Sequence, residues 1–268
     1  MSLPRRLAAF VLVLAPLAAG DPVVIHPAQA ETVTETRTLA LASGSTLKVK
    51  NVNGFIRVEG WDREEVVFKG EFKPSSKDEQ VKVILDSGPK GLEIRGEYPK
   101  SNGWFGYRGP ECKMELKVPR KVFATLETVN GEITLAGVSG DAACKTVNGG
   151  IRASELGEGL KASTVNGAIN LEQVKGALHL NTVNGSIQGR GLEGGGRGIE
   201  ASTVNGSVKL QTEGLKGRLR ASTVNGSMSF KAKGAEQVEV SKRHMEATFP
   251  GGDQKIALST VNGSITVE

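Results

Sequence analysis

The stretch Ser101-Asn-Gly-Trp104-Phe105-Gly-Tyr107-Arg108-Gly-Pro110 gathers three aromatic rings and a guanidinium between glycines and a proline. Flat rings and a cation on such a loop stack on sugars or anchor a partner protein, so Trp104, Phe105, Tyr107 and Arg108 are candidate contact residues. The same side chains also suit a simpler task, packing a cap against the coil beside it. Gly189-Arg-Gly191-Leu-Glu-Gly194 has dinucleotide-loop spacing, but that loop needs a helix after it, and here a strand pattern follows. Glu127, Glu200, Glu239 and Glu246 are scattered among Ser, Lys, Arg and Asn, which gives no acid/base pair for cleaving a polysaccharide. His179 and His244 fall in different repeats with no Cys or second His nearby, and the turns lack the Asp of a calcium-binding β-roll. The residue types therefore predict no catalytic group, no cofactor and no metal.

Two cysteines, Cys112 and Cys144, complete the chemically active set. Their pairing depends on the compartment. Arg5 and Arg6 precede an apolar run from Leu7 to Ala19, and Ala28-Gln29-Ala30 supplies a small-x-small cleavage pattern before Glu31. Residues 1–30 thus read as a secretory signal peptide, with the protein exported to the periplasm or the cell surface. The run is too short to span a bilayer, which takes ~20 residues, and no comparable run follows, so no membrane span is expected. In an oxidising compartment a Cys112–Cys144 disulfide is one expectation, and two free thiols are the other. The net charge of +5 comes from Lys and Arg interleaved with Glu rather than from a basic stripe, which argues against a nucleic-acid partner.

The elements that position these residues follow from a repeat. Thr-Val-Asn-Gly begins at Thr128, Thr146, Thr164, Thr182, Thr203, Thr223 and Thr260, in steps of 18, 18, 18, 21, 20 and 37 residues. The long last step is read as hiding a decayed copy, with Val238–Lys242 matching Leu219–Thr223 and the basic Lys242-Arg-His-Met245 at its corner. Residues 119–268 then form about eight coils. The fourth residue before each Thr is apolar (Leu160, Leu178, Ile199), and so is the fifth after it (Ile169, Ile187, Val208). Each copy reads as two short strands with one buried face. An earlier copy, Leu47-Lys-Val-Lys-Asn51-Val-Asn-Gly-Phe-Ile56-Arg-Val58, sits within residues 31–118.

Asn-Gly between alternating segments also signals a hairpin, so an antiparallel meander is the rival architecture. Closing that many hairpins into a barrel leaves an interior too wide for side chains to fill. A β-solenoid instead stacks Ile on Ile at ~4.8 Å, and it brings Asn130, Asn148, Asn166, Asn184, Asn205, Asn225 and Asn262 into one hydrogen-bonded ladder. Glycine is expected at the corner for a positive φ. The expectation is an all-β, single-stranded β-solenoid with an irregular antiparallel cap region. Strands such as Val66–Phe68, Val81–Val83, Leu92–Ile94 and Met114–Val118 would build that cap.

Asn51-Val-Asn-Gly with Ile56-Arg-Val-Glu-Gly-Trp61, Leu116-Lys-Val-Pro119 and the serial Thr-Val-Asn-Gly copies resemble the bacterial putative-adhesin β-strand-repeat proteins, a domain of unknown function, over about residues 46–268. The resemblance implies envelope association and transfers no catalytic residue. The function expected is that of an exported, non-catalytic structural or interaction protein whose partner is an envelope protein or a glycan. The alternative is a carbohydrate-binding or carbohydrate-cleaving module that uses the aromatic loop. Because the Thr260 copy is the last in the sequence, weak end-to-end self-association through this C-terminal coil is a further expectation.

Overall fold

The computed structural model describes residues 22–25, 32–75, 81–99, 109–211, 213 and 215–268, and every regular element among them is a β-strand. Alternation of apolar and polar residues sets the inner and outer faces. Gly217–Asn225 buries every second side chain up to Thr223, and Ile133–Ala136 buries Ile133 and Leu135. Equivalent residues of neighbouring copies pair in parallel: Leu160 with Leu178, Leu178 with Ile199, Ile151 with Ile169 and Ile169 with Ile187. This register is that of a solenoid. In a meander the two strands flanking each Asn-Gly would pair antiparallel.

Among the described residues nine coils stack along one axis. Coil 1 consists of Gly91–Glu97 and Glu111–Pro119, and coil 2 of Thr46–Lys50 and Ile56–Trp61. Coils 3 to 7 carry Thr128, Thr146, Thr164, Thr182 and Thr203. Lys255–Asn262 and Ile265–Val267 form coil 8, and Gly217–Asn225 and Met228–Phe230 form coil 9. The strands before each Thr column make one sheet and those after it make the other. Leu47, Val49, Ile56 and Val58 at one end, and Ile256, Leu258, Ile265 and Val267 near the other, belong to a single apolar core between the two.

Three expectations are corrected by this order. First, the Thr260 coil is not terminal in space: Ile256 pairs with Ile199 of coil 7 on one side and with Leu219 of coil 9 on the other. Both edges of its backbone are thereby satisfied, and the premise of end-to-end association through that coil is removed. Second, Val238–Lys242 is no coil. Gln237–Val240 and His244–Phe249 form an antiparallel hairpin laid on the outer edge of coil 9, so that Ala247 faces Leu219 and Val238 is exposed. A short strand bearing Glu239 is the outermost one, a common way to blunt a sheet end. Third, the irregular segment contains a hidden coil. Leu92 and Ile94 pair in parallel with Leu47 and Val49, and Met114 and Leu116 with Ile56 and Val58.

Antiparallel strands close the N-terminal end. Glu65–Lys73 and then Val33–Ala40 extend one sheet beyond coil 1, and Lys82–Gly88 and then Val23–Ile25 extend the other. The chain thus starts in the cap, enters the solenoid at coil 2, adds further cap strands and coil 1 outside it, and returns to coil 3.

Candidate interaction surface

The tetrapeptide corner divides its work among four columns. Thr alternates with apolar side chains on the inner face, as in Leu160, Ala162 and Thr164, and its hydroxyl is buried. Thr146, Thr164 and Thr182 Oγ1 donate to the carbonyls of Gly131, Gly149 and Gly167 one coil back, each at 2.9 Å. The next residue, Val, points outward, and Val165, Val183 and Val261 are each 39% exposed. Asn is exposed and forms the ladder, from Asn130 Nδ2 on Asn53 Oδ1 at 2.8 Å to Asn225 Nδ2 on Asn262 Oδ1 at 3.1 Å. Between these ends Asn148, Asn166, Asn184, Asn205 and Asn262 each donate to the Asn of the coil before in space.

Glycine is required at the fourth position for close approach. A Cβ on Gly167 would lie 2.0 Å from the Gly149 carbonyl oxygen, while its φ is not positive. The expected positive φ occurs at this corner in the coil 2 copy, at Gly54 with φ 117°, and otherwise at the opposite corner, at Gly137, Glu155, Gln173 and Gly191, with φ of 67°, 54°, 53° and 60°.

At coil 1 this corner is replaced by residues 98–110, which carry the aromatic loop. Trp104, Phe105, Tyr107 and Arg108 lie outside the described residues, while Tyr98 and Pro110, on either side of them in sequence, make contacts with coil 2. Tyr98 Oη donates to Asn51 Oδ1 at 2.5 Å and accepts from Asn53 N at 3.1 Å. Asn51 Nδ2 reaches the Cys112 carbonyl at 2.7 Å, and Asn53 Nδ2 contacts the Pro110 carbonyl at 3.4 Å. Asn51 stands where other copies have Thr; in coil 1 Cys112 holds the place of their corner glycine, and the longer amide reaches its carbonyl. Burial pushes the Tyr98 phenol well above its ordinary range, so it stays a neutral donor. Sequence reasoning missed Tyr98. The signal was Asn51, a departure from Thr in the column.

Arg57 lies over the Phe55 ring at 5.0 Å just past the corner on coil 2, and Arg63 over Trp61 at 4.9 Å at the far end of the strand Ile56–Trp61.

The other candidates are dispersed. Cys112 on coil 1 and Cys144 on coil 4 are both buried and unpaired. Three coil steps of ~4.8 Å separate them, roughly 14 Å, far beyond the ~7 Å limit for a disulfide. Burial raises both thiols, that of Cys144 to about 12, which disfavours the thiolate form. His179 pairs with Glu200 at 3.2 Å and His244 with Glu246 at 3.0 Å, both on the surface. Gly189 lies in the strand Ile187–Arg190 and Gly194 in Glu193–Asn205, with a register shift where this copy is longer.

Over the second sheet runs a shallow groove of about 510 Å³ lined by Thr134, Arg152, Asn170, Gln188 and Lys209, one from each of five successive coils. Its cations are neutralised locally. Arg152 pairs with Glu132, Arg190 with Glu172 at 2.5 Å, and Lys209 with Glu268 at 2.6 Å. Among the described residues, no group of three or more His, Cys, Asp or Glu is placed to hold a metal, and no helix is long and apolar enough to cross a membrane.

Comparison with known proteins places this arrangement. No curated protein matches the chain. Among solved structures, a putative adhesin from Bacteroides fragilis superposes with a TM-score of 0.51 at 15% identity, covering 88% of this chain and 97% of that one. A putative cell adhesion protein from Clostridium sporogenes gives 0.40 at 12% identity over 87% and 98%. A putative lipid binding protein from Parabacteroides distasonis gives 0.41 at 15% over 88% and 96%. At 15% identity the Bacteroides fragilis likeness speaks for the fold alone. A family model matches residues 114–268, more than half of the sequence and all the coils from the second strand of coil 1 onward apart from coil 2. The chain belongs to the Toastrack DUF4097 family.

Proposed function

We propose that this protein is an exported, non-catalytic interaction protein of the bacterial envelope, a rigid rod that presents a contact loop at one end. The observation that supports this reading most is the replacement of the tetrapeptide corner on coil 1. There the otherwise repeating surface is interrupted by residues 98–110, anchored by the Tyr98, Asn51 and Asn53 hydrogen bonds. A loop rich in aromatic residues on a scaffold locked by ladders is how binding surfaces are built, because the scaffold bears the ordering cost beforehand. The adhesin description of the Bacteroides fragilis structure agrees with this role. The leader-like residues 1–30 supply the route out of the cytoplasm.

A glycan is the second reading, favoured by Trp104, Phe105 and Tyr107 on that loop. One pair of experiments separates these claims. Sequencing the N-terminus of protein from the envelope fraction should start at Glu31; a retained Met1 would contradict export. Binding to glycan arrays and to envelope extracts is then compared for wild type and Trp104→Ala. A loss of about tenfold or more on glycans supports the glycan reading, loss only on protein supports a protein partner, and unchanged binding to both removes the loop from the proposal.

A further inference from the structure

Coil 8 is placed between coils 7 and 9, although both precede it in the sequence. The rest of the molecule therefore contains a slot with two open parallel edges, Ile199–Asn205 and Leu219–Asn225 in the first sheet and Val208–Leu210 and Met228–Phe230 in the second. Residues 255–267 fill that slot with contacts drawn from the repeat. Asn262 donates to Asn205 at 2.8 Å and accepts from Asn225 at 3.1 Å. Thr260 Oγ1 donates to the Gly206 carbonyl at 2.8 Å, and Thr223 Oγ1 to the Gly263 carbonyl at 3.1 Å. Ile256, Leu258, Ile265 and Val267 are buried in the shared core.

The segment joining this coil to the body differs from the rest of the molecule. Phe249 lies opposite Gly217 on the outer side of coil 9, and Lys255 lies opposite Arg218 on its inner side. Residues 250–254 must therefore cross the start of the coil 9 strand. They do so through an exposed Pro250-Gly251-Gly252-Asp253, with Gly251 at φ +86°. The crossing is tight, since a Cβ on Gly217 would meet the Gln254 carbonyl oxygen at 2.2 Å. It is also imperfect: Gln254 Oε1 is the one buried side-chain oxygen or nitrogen without a hydrogen-bond partner among the described residues. An orphaned acceptor of this kind destabilises the closed crossing.

We propose that coil 8 is exchangeable between molecules, and that two copies of this chain assemble by reciprocal insertion of residues 255–267 into each other's slot. Every contact of coil 8 with coils 7 and 9 is the same whichever chain supplies it. Exchange therefore trades only the closed crossing for an open one and the entropy of association. The partner edge is recognised by main-chain pairing, and alternate apolar side chains set the register, as in other strand-addition complexes. Because a tethered segment competes at a high effective concentration, the exchanged form is favoured by refolding at high protein concentration.

The test uses the full chain carrying Ser227→Cys and Ser264→Cys, since the two Oγ atoms are 3.3 Å apart on exposed neighbouring coils and the native Cys112 and Cys144 are buried. The protein is refolded over a hundredfold concentration range, oxidised, and run without reductant beside light scattering. Exchange gives a linked dimer whose share rises several-fold with concentration, and linked monomer when dilute. Shortening the crossing by deleting Gly251 and Gly252 should raise the dimer share further at equal concentration. Linked monomer alone at every concentration in the intact-crossing variant overturns the proposal, and so does absence of any 227–264 link.

Discussion

A threonine hydroxyl held against a carbonyl one coil away is the smallest unit that fixes the stacking. Thr164 is buried, and its hydroxyl donates to the half-buried Gly149 carbonyl one coil away. Thr164→Val keeps the shape and removes the donor, so it should cost about 1–3 kcal/mol. Asn166→Ala removes two ladder bonds, but at the surface, where water compensates, and should cost about 1 kcal/mol or less. Urea melts of the two variants test the ranking; a larger loss from Asn166→Ala would show that the ladder rather than the threonine column holds the coils. The parity of these columns was legible in the sequence, because Leu160, Ala162 and Thr164 alternate with Lys161 and Ser163. An Asn repeat draws the eye to itself, yet two residues beyond the inward Thr, past the turn of the corner, its amide faces solvent. The cysteines were not legible, since spacing along a chain says nothing about how many coils intervene. With both thiols buried, thiol titration should find none reactive in the native protein and two after unfolding without reductant.

At the level of strands and corners, the second corner carries a measurable strain. Glu155 and Gln173 occupy the left-handed region where the equivalent residues on coils 3 and 6 are Gly137 and Gly191. A side chain there costs about 1–2 kcal/mol, partly offset by the freedom glycine brings to the unfolded chain. Gln173→Gly should therefore stabilise by about 0.5–1 kcal/mol, whereas Gln188→Gly, in the strand Ile187–Arg190, should destabilise by a similar amount. Thermal melts of the pair would show opposite shifts, and a loss in both would mean that the Gln173 side chain makes a contact worth more than its strain. The regular strands were legible because their apolar columns recur at a fixed distance from Thr. Coil 1 was not, because residues 98–110 stand in place of its corner tetrapeptide and separate Leu92–Ile94 from Met114–Leu116. The hairpin after coil 9 was misread for a related reason. Val238 and Ala247 match the repeat in hydrophobicity, but antiparallel pairing places them opposite each other in one sheet instead of on the two sheets of one coil.

The order of coils in the whole molecule is a property that local pattern does not encode. All copies present nearly the same edge, so sequence order and the observed order both satisfy the columns; what separates them is how the ends are closed. Stacking in sequence order would leave coil 8 outermost. In the observed order coil 9 and the hairpin Gln237–Phe249 lie beyond it, and each strand of coil 8 has a partner on both sides.

This difference predicts where the molecule opens. Amides of Ile256–Asn262 are protected by neighbours on either side, while Gln237–Val240 form an exposed outer strand with one partner. Hydrogen exchange should therefore find coil 8 nearly as slow as coil 5 and the outer strand fast, since local opening follows the number of buried contacts broken. Leu258→Ala should cost about 2–4 kcal/mol, as for a cavity in a closed core, and Val240→Ala about 0.5 kcal/mol or less. If coil 8 were a frayed end, its amides would exchange early and Leu258→Ala would be mild. Slow exchange in residues 256–262 with fast exchange in residues 237–240 is the pattern that only the inserted position of coil 8 produces.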